Sequence, residues 1–237
     1  MFPIIPPGVE LPAIPNGVPR LDYEAPEQGK NFWVVDDFLD KPMDVANRCF
    51  NATNWKKGHP YTKEKWPGMR TKKALKAPEL AKLEDYVKSV TGASKLWLPE
   101  TAPGITLDSN VAQLVGKTES GPLPHTDSLN LCRLAAVIYL SPTPEPAAGT
   151  SFYRLRYPNG AAGGNIVTPP HINLRDALNV QSLPPQAWYE ELKVENRFNR
   201  LLLYKSNLVH SASGYFGQDK RDKRLTALFF WMADLPE

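Results

Sequence analysis

Four histidines occur in the 237-residue chain, His59, His125, His171 and His210, and two of them stand where a metal ion could be shared. His125-Thr126-Asp127 sets an imidazole and a carboxylate at positions i and i+2. In extended backbone such residues point to one face, with a rise of about 3.3 Å per residue, so both can reach one cation. Far along the chain, His210 follows Leu201-Leu202-Leu203-Tyr204-Lys205, a run with leucine on both faces, as a buried strand requires. Two histidines and a carboxylate form the facial set that leaves coordination positions open on a ferrous ion, which oxygen activation needs. Arg224-Leu225-Thr226 then opens the apolar run Ala227-Leu228-Phe229-Phe230-Trp231, with Arg224 and Thr226 on one face. A guanidinium fork beside a hydroxyl is suited to clamping a carboxylate next to the metal. His59 and His171 lack an acid at ligand spacing and are assigned no role.

Strands are needed to hold these groups. From Ile105 onward the chain consists of short β-type runs, 105–115, 131–140, 150–155, 201–205 and 225–232, separated by Gly, Pro, Asn and Ser turns. The pattern predicts an antiparallel sandwich or barrel. Residues 158–192 interrupt it with a Gly-rich turn, a Pro169-Pro170-His171 corner and a predicted short helix from about Pro185 to Leu192. Upstream, Phe32-Trp33-Val34-Val35 reads as a strand and Asp40 as the cap of a helix from about Lys41 to Phe50. Pro78 opens a second helix that buries Leu80, Leu83, Val87 and Val90 and stops at Gly92. Between them, Asn54 to Ala74 lacks periodicity and reads as a long loop in which Tyr61, Trp66 and Arg70 could form a lid over a substrate, Arg70 matching an anionic group.

Seven of the chain's 24 prolines fall in the first 26 residues, where locked φ and missing amide donors forbid helix and central strand. Residues 1–30 are therefore expected as an extended arm, and 31–237 as one domain whose β core begins near residue 105. Phe2, Ile4, Ile5, Val9, Leu11 and Ile14 are too apolar for a free linker, which points to packing on the domain or on a second copy in a homodimer. With 42% hydrophobic and 22% charged residues the chain can bury a core, which excludes a disordered protein. A net charge of +3 without a block of like charges argues against nucleic acid and membrane surfaces as partners. No apolar run approaches the roughly 18 residues a bilayer span needs. Cys49 and Cys132 make no disulfide framework or zinc spacing, and the first residues lack a signal-peptide pattern, so a cytoplasmic location is expected.

His125-Thr126-Asp127, His210 and Arg224-Leu225-Thr226 together resemble the signature of the non-haem iron(II), 2-oxoglutarate-dependent oxygenases. The segments Trp33 to Leu39, Val111 to Val115 and Gly149-Thr150-Ser151-Phe152-Tyr153 resemble the prolyl 4-hydroxylase-like branch in their order. The resemblance runs from about Phe32 to Ala233. It implies a double-stranded β-helix (jelly-roll, cupin-like) core of two four-stranded sheets, mainly β with flanking helices. It implies Fe(II), with 2-oxoglutarate and O2 consumed to oxidise a C–H bond. Carried over, His125, Asp127 and His210 become iron ligands, Arg224 binds the distal carboxylate of 2-oxoglutarate, and Thr226 hydrogen-bonds beside it. Lys220 stands at the spacing at which prolyl 4-hydroxylases place a lysine, and competes with Arg224. The carboxylate of Asp127 favours a hydroxylase over a halogenase. The run after Arg224 departs from the nucleic-acid demethylase pattern, so the implied substrate is a small molecule, an amino acid or a peptidyl side chain. Two other readings fit the same residues: a cupin-like metalloenzyme using the ligands without oxygen, and a non-catalytic jelly-roll binding module.

Overall fold

The computed structural model describes residues 2–57 and 66–236. After an extended arm come β1 (Phe32–Val35), α1 (Pro42–Asn51), β2 (Lys56–Lys57), β3 (Met69–Lys72) and α2 (Ala77–Thr91). Then follow β4 (Lys95–Trp97), the short hairpin β5 (Glu100–Ala102) and β6 (Ile105–Thr106), β7 (Val111–Val115), β8 (Leu134–Tyr139) and β9 (Thr150–Leu155). The chain closes with α3 (Leu174–Leu178), β10 (Trp188–Val194), β11 (Leu201–Lys205), β12 (His210–Ala212) and β13 (Arg224–Asp234).

Among the described residues the larger sheet runs β1-β11-β8-β13-β7-β3-β2, with β4 paired to the far end of β13. A smaller sheet, β10-β9-β12, lies opposite. An isolated antiparallel bridge between His125 and His210 adds a fourth segment to it. The pairings within both sheets are antiparallel. The two sheets form the expected mainly β, jelly-roll type fold, though the larger sheet is wider than four strands.

Period-two alternation divides the larger sheet into two chemically different faces. One set, Ala112, Leu114, Ala136, Ile138, Leu201, Leu203, Leu225, Ala227 and Phe229, is buried against Val45, Ala46, Cys49 and Phe50 of α1 and Leu83 and Val87 of α2. The other set faces the smaller sheet, where Val137, Tyr139, Leu202, Tyr204 and Leu228 meet Phe152 and Val194. The outer side of the smaller sheet is covered by the arm and α3. There the Phe2 ring lies 4.7 Å from Tyr153, Tyr157 donates to the Pro19 carbonyl (2.7 Å), and the Asn165 amide donates to that of Asp22 (2.8 Å).

Several local expectations are corrected. Pro185 begins only one 3-10 turn, and Trp188–Val194 is a strand, because its residues find ladder partners on β9 from Leu155 back to Thr150. The helix of this insertion lies earlier, at Leu174–Leu178, where Asn173 Oδ1 accepts the Asp176 amide as its cap. Asp40 does not cap α1 but pairs with Lys82 (2.7 Å); Lys41 holds the cap position. The run 105–115 breaks at Asn110, whose φ of +53° turns the chain between β6 and β7. The presumed loop from Asn54 to Ala74 contains β3, a strand with no β-type composition that exists because β7 offers it a partner.

At Gly164 an added Cβ would run into the carbonyl oxygens of Leu21 and Asp22. Gly164→Ala is therefore expected to unseat the arm there, whereas Gly121→Ala, which meets nothing within 4 Å, serves as the control. Limited proteolysis should cut the arm of the first variant at least several-fold faster than wild type and leave the second unchanged.

Candidate metal centre

His125 and His210 exchange both backbone bonds: the His125 amide donates to the His210 carbonyl (3.0 Å) and the His210 amide to that of His125 (2.8 Å). Residues paired in this way present their side chains to the same face of a sheet, and the two imidazole centroids lie 4.6 Å apart. The Asp127 amide continues the contact by donating to the Ser206 carbonyl (3.1 Å). One ligand atom from each of His125, Asp127 and His210 lies within 4.8 Å of the others.

Each histidine is oriented from behind. Nδ1 of His125 lies 2.8 Å from the Leu123 carbonyl, and Nδ1 of His210 lies 2.8 Å from that of Leu208. A carbonyl only accepts, so both Nδ1 atoms carry a proton and Nε2 is the nitrogen each ring offers to a ligand. The Tyr204 ring backs His210 at 4.5 Å. Nε2 of His210 stands 3.9 Å from Oδ2 of Asp127, which is buried and has no hydrogen-bond partner among the described residues. Burial pushes the Asp127 carboxyl up to about 6, against the lowering effect of His125 and Arg70. Burial, and then the nearby charge of His125, pulls His210 down to about 3, although the Leu208 carbonyl resists. Neutral imidazole and an orphaned carboxylate oxygen are the donor set a divalent transition metal completes. The residues fit an iron ion.

Arg224 lies on the inner face of β13 and is only 3% exposed. Its Nε donates to the Ala148 carbonyl (2.8 Å) and its Nη2 to that of Gly149 (3.1 Å), between the rings of Tyr139 and Tyr215. Thr226 is fully buried on the same face, and its hydroxyl has no partner among the described residues. Lys220 is exposed on the outside, donating to the Ala52 carbonyl (3.4 Å) near the Trp55 ring. It therefore does not share the inner face with Arg224. Arg70 is not on a lid: β3 carries it into the inner face, with Trp66 stacked on its guanidinium at 3.8 Å. Tyr61 lies outside the described residues. Trp231 points to the opposite face, toward Glu84, and Tyr153 toward the arm.

Gln113 and Tyr215 escaped the sequence reading. Gln113 sits directly across from both Arg70 and Thr226, and a lone glutamine inside the apolar run Val111 to Val115 was its available signal. Tyr215 lies in an irregular segment between β12 and β13, where nothing local reveals its direction.

A family model described as a family of unknown function, DUF6445, matches residues 19–231. The chain belongs to DUF6445. No curated protein matches this DUF6445 chain in sequence. Among solved structures, the carbocyclase SnoK from nogalamycin biosynthesis, a non-heme alpha ketoglutarate dependent enzyme, is similar with a TM-score of 0.51 at 14% identity. That match covers 86% of this chain and 80% of SnoK. HygX from Streptomyces hygroscopicus, solved with nickel, 2-oxoglutarate and hygromycin B, is similar at 0.48 and 16% identity, covering 86% of this chain and 83% of HygX. AviO1 from Streptomyces viridochromogenes Tue57 is similar at 0.48 and 11%, covering 88% and 92%. What this DUF6445 member shares with SnoK at such identity is the fold.

Anything that binds only the folded state raises its stability, by about 2.7 kcal/mol at a ligand concentration of a hundred times Kd. Ni(II) is expected to raise the melting temperature of the wild type and of His171→Ala, and to leave Asp127→Ala and His210→Ala unmoved, in a calorimetric scan.

Proposed function

We propose that this chain is an iron(II)- and 2-oxoglutarate-dependent oxygenase that hydroxylates a small-molecule, amino-acid or peptidyl substrate. The observation that carries the reading is the convergence of two imidazole Nε2 atoms on a buried carboxylate oxygen that has no partner of its own. SnoK, a non-heme alpha ketoglutarate dependent carbocyclase similar in fold, lends it further support. We propose further, on the order of the segments Trp33 to Leu39, Val111 to Val115 and Gly149 to Tyr153, that the chain is of the prolyl 4-hydroxylase-like branch.

In this reading His125, Asp127 and His210 hold the iron, which when bound supplies the oxidising chemistry with O2 and 2-oxoglutarate. The chain's own residues bind, orient and exclude water. Arg224 offers its charge to the distal carboxylate of 2-oxoglutarate. Its two bonds to the Ala148 and Gly149 carbonyls aim the guanidinium and leave further donors free, since that group carries five N–H bonds. The unpartnered Thr226 hydroxyl lies on the same face for a second hydrogen bond. On the same inner face, Val137, Leu202 and Leu228 belong to an apolar cluster, and low polarity there strengthens the charge interactions beside it. No helix among the described residues is long and apolar enough to cross a membrane. A cytoplasmic location is part of the proposal and is supported by the two buried free thiols, Cys49 and Cys132.

The test is anaerobic addition of Fe(II) and 2-oxoglutarate, which should produce a weak visible charge-transfer band. His210→Ala and Asp127→Ala should abolish it. Arg224→Ala should weaken 2-oxoglutarate binding at least tenfold while metal alone still binds. A metalloenzyme that uses the same ligands without oxygen would bind metal, give no band and be indifferent to the Arg224 change; a binding module would take up no metal at all.

A further inference from the structure

Arg70 is 7% exposed, and its Nε and Nη2 are buried with no acceptor among the described residues. These two nitrogens form the side-on edge of the guanidinium, the edge that grips both oxygens of a carboxylate through parallel hydrogen bonds. The acids that sense its charge are already committed: Asp108 is held by Lys72 at 2.8 Å, and Asp127 belongs to the histidine cluster. Leaving a buried cation unpaired is expensive, and the described residues supply no partner for that edge. A second, separate observation marks the same place. Cross-strand register sets Arg70, Gln113, Thr226 and Tyr139 in one row across β3, β7, β13 and β8, and in that row the Thr226 hydroxyl is also buried without a partner. The neighbouring row begins with Lys72 on β3 and is apolar from there on, through Val111, Leu228, Val137, Leu202 and Val34. Arg224 differs from Arg70, because its own Nε and Nη2 are spent on the carbonyls of Ala148 and Gly149.

We propose that Arg70 is the receptor for a ligand carboxylate, seated on its side-on edge along the polar row beside the His125, Asp127 and His210 cluster. The proposal rests on the metal-centre reading only for its setting. Trp66 holds the guanidinium plane by stacking, and Gln113 is its direct neighbour on β7. The carboxylate arrives either on the oxidised substrate or on 2-oxoglutarate, and two measurements separate these sources.

In the first, 2-oxoglutarate is titrated calorimetrically into Ni(II)-loaded wild type, Arg70→Gln and Arg70→Lys. In the second, melting temperature is followed against sodium acetate at constant ionic strength, with and without Ni(II) and 2-oxoglutarate. The expected result is a saturable acetate shift in wild type that is absent in Arg70→Gln. Arg70→Lys, which keeps the charge but loses the fork, should recover less than half of it, and 2-oxoglutarate affinity should stay within about twofold; the carboxylate is then the substrate's. A tenfold or greater loss of 2-oxoglutarate affinity in Arg70→Gln assigns the carboxylate to the co-substrate. Equal responses of wild type and Arg70→Gln to both acids overturn the proposal. Melting of Arg70→Gln without any acid, expected at or above the wild-type temperature because an unpaired charge has been removed, shows that the variant folds. Failure of the metal-centre reading registers separately, as absence of Ni(II) binding, and the acetate series on metal-free protein still decides the matter of Arg70.

Discussion

The two backbone hydrogen bonds exchanged by His125 and His210 hold the candidate centre together. The side chains of the cluster make no hydrogen bond to one another among the described residues, and burying them is costly. Main-chain pairing must therefore bring them into range. β12 is tied to β9 through His210 and Phe152, and the proline-flanked segment containing His125 is in turn tied to β12. The Leu123 and Leu208 carbonyls then turn each ring so that Nε2 faces inward. Main-chain pairing thus sets the geometry of the cluster, and the cost of burying Asp127 is carried by the packing around it.

That packing is concentrated on the other side of the larger sheet. Leucine, alanine and phenylalanine on the helix-facing side are sealed by α1 and α2, whereas the chamber side mixes an apolar row with a row containing arginine, glutamine, threonine and tyrosine. A sheet stabilised on one face can tolerate unpaired polar groups on the other. Violations of core chemistry confined to one face are where function is expected. The arm adds cover to the outer side of the smaller sheet, where Gly164 permits close approach of its backbone.

Legibility in the sequence followed the range of the interactions involved. His125 and Asp127 were visible because the i, i+2 spacing is a local property of extended chain, and Arg224 with Thr226 for the same reason. Gly92 ends α2 with φ of +72°, as its freedom from a Cβ suggested. The stretch from Pro185 to Leu192 reads as helix because a leading proline and a few helix formers resemble a helix start, and only the pairing with β9 makes Trp188–Val194 a strand. Met69–Lys72 carries no strand signal, so Arg70 looked like part of a lid.

By itself the sequence determined the donor types, the alternation that assigns them to strand faces, the proline-bound arm and the absence of a disulfide scaffold. Tertiary structure alone decided that His125 meets His210, that Lys220 lies outside while Arg224 lies within, and that Arg70 joins Gln113 and Thr226 in one row. The physical reason is that β pairing is non-local. A strand's periodicity is written in its own residues, but its neighbours and register depend on partners far away in the chain, and those partners choose which polar groups share a wall.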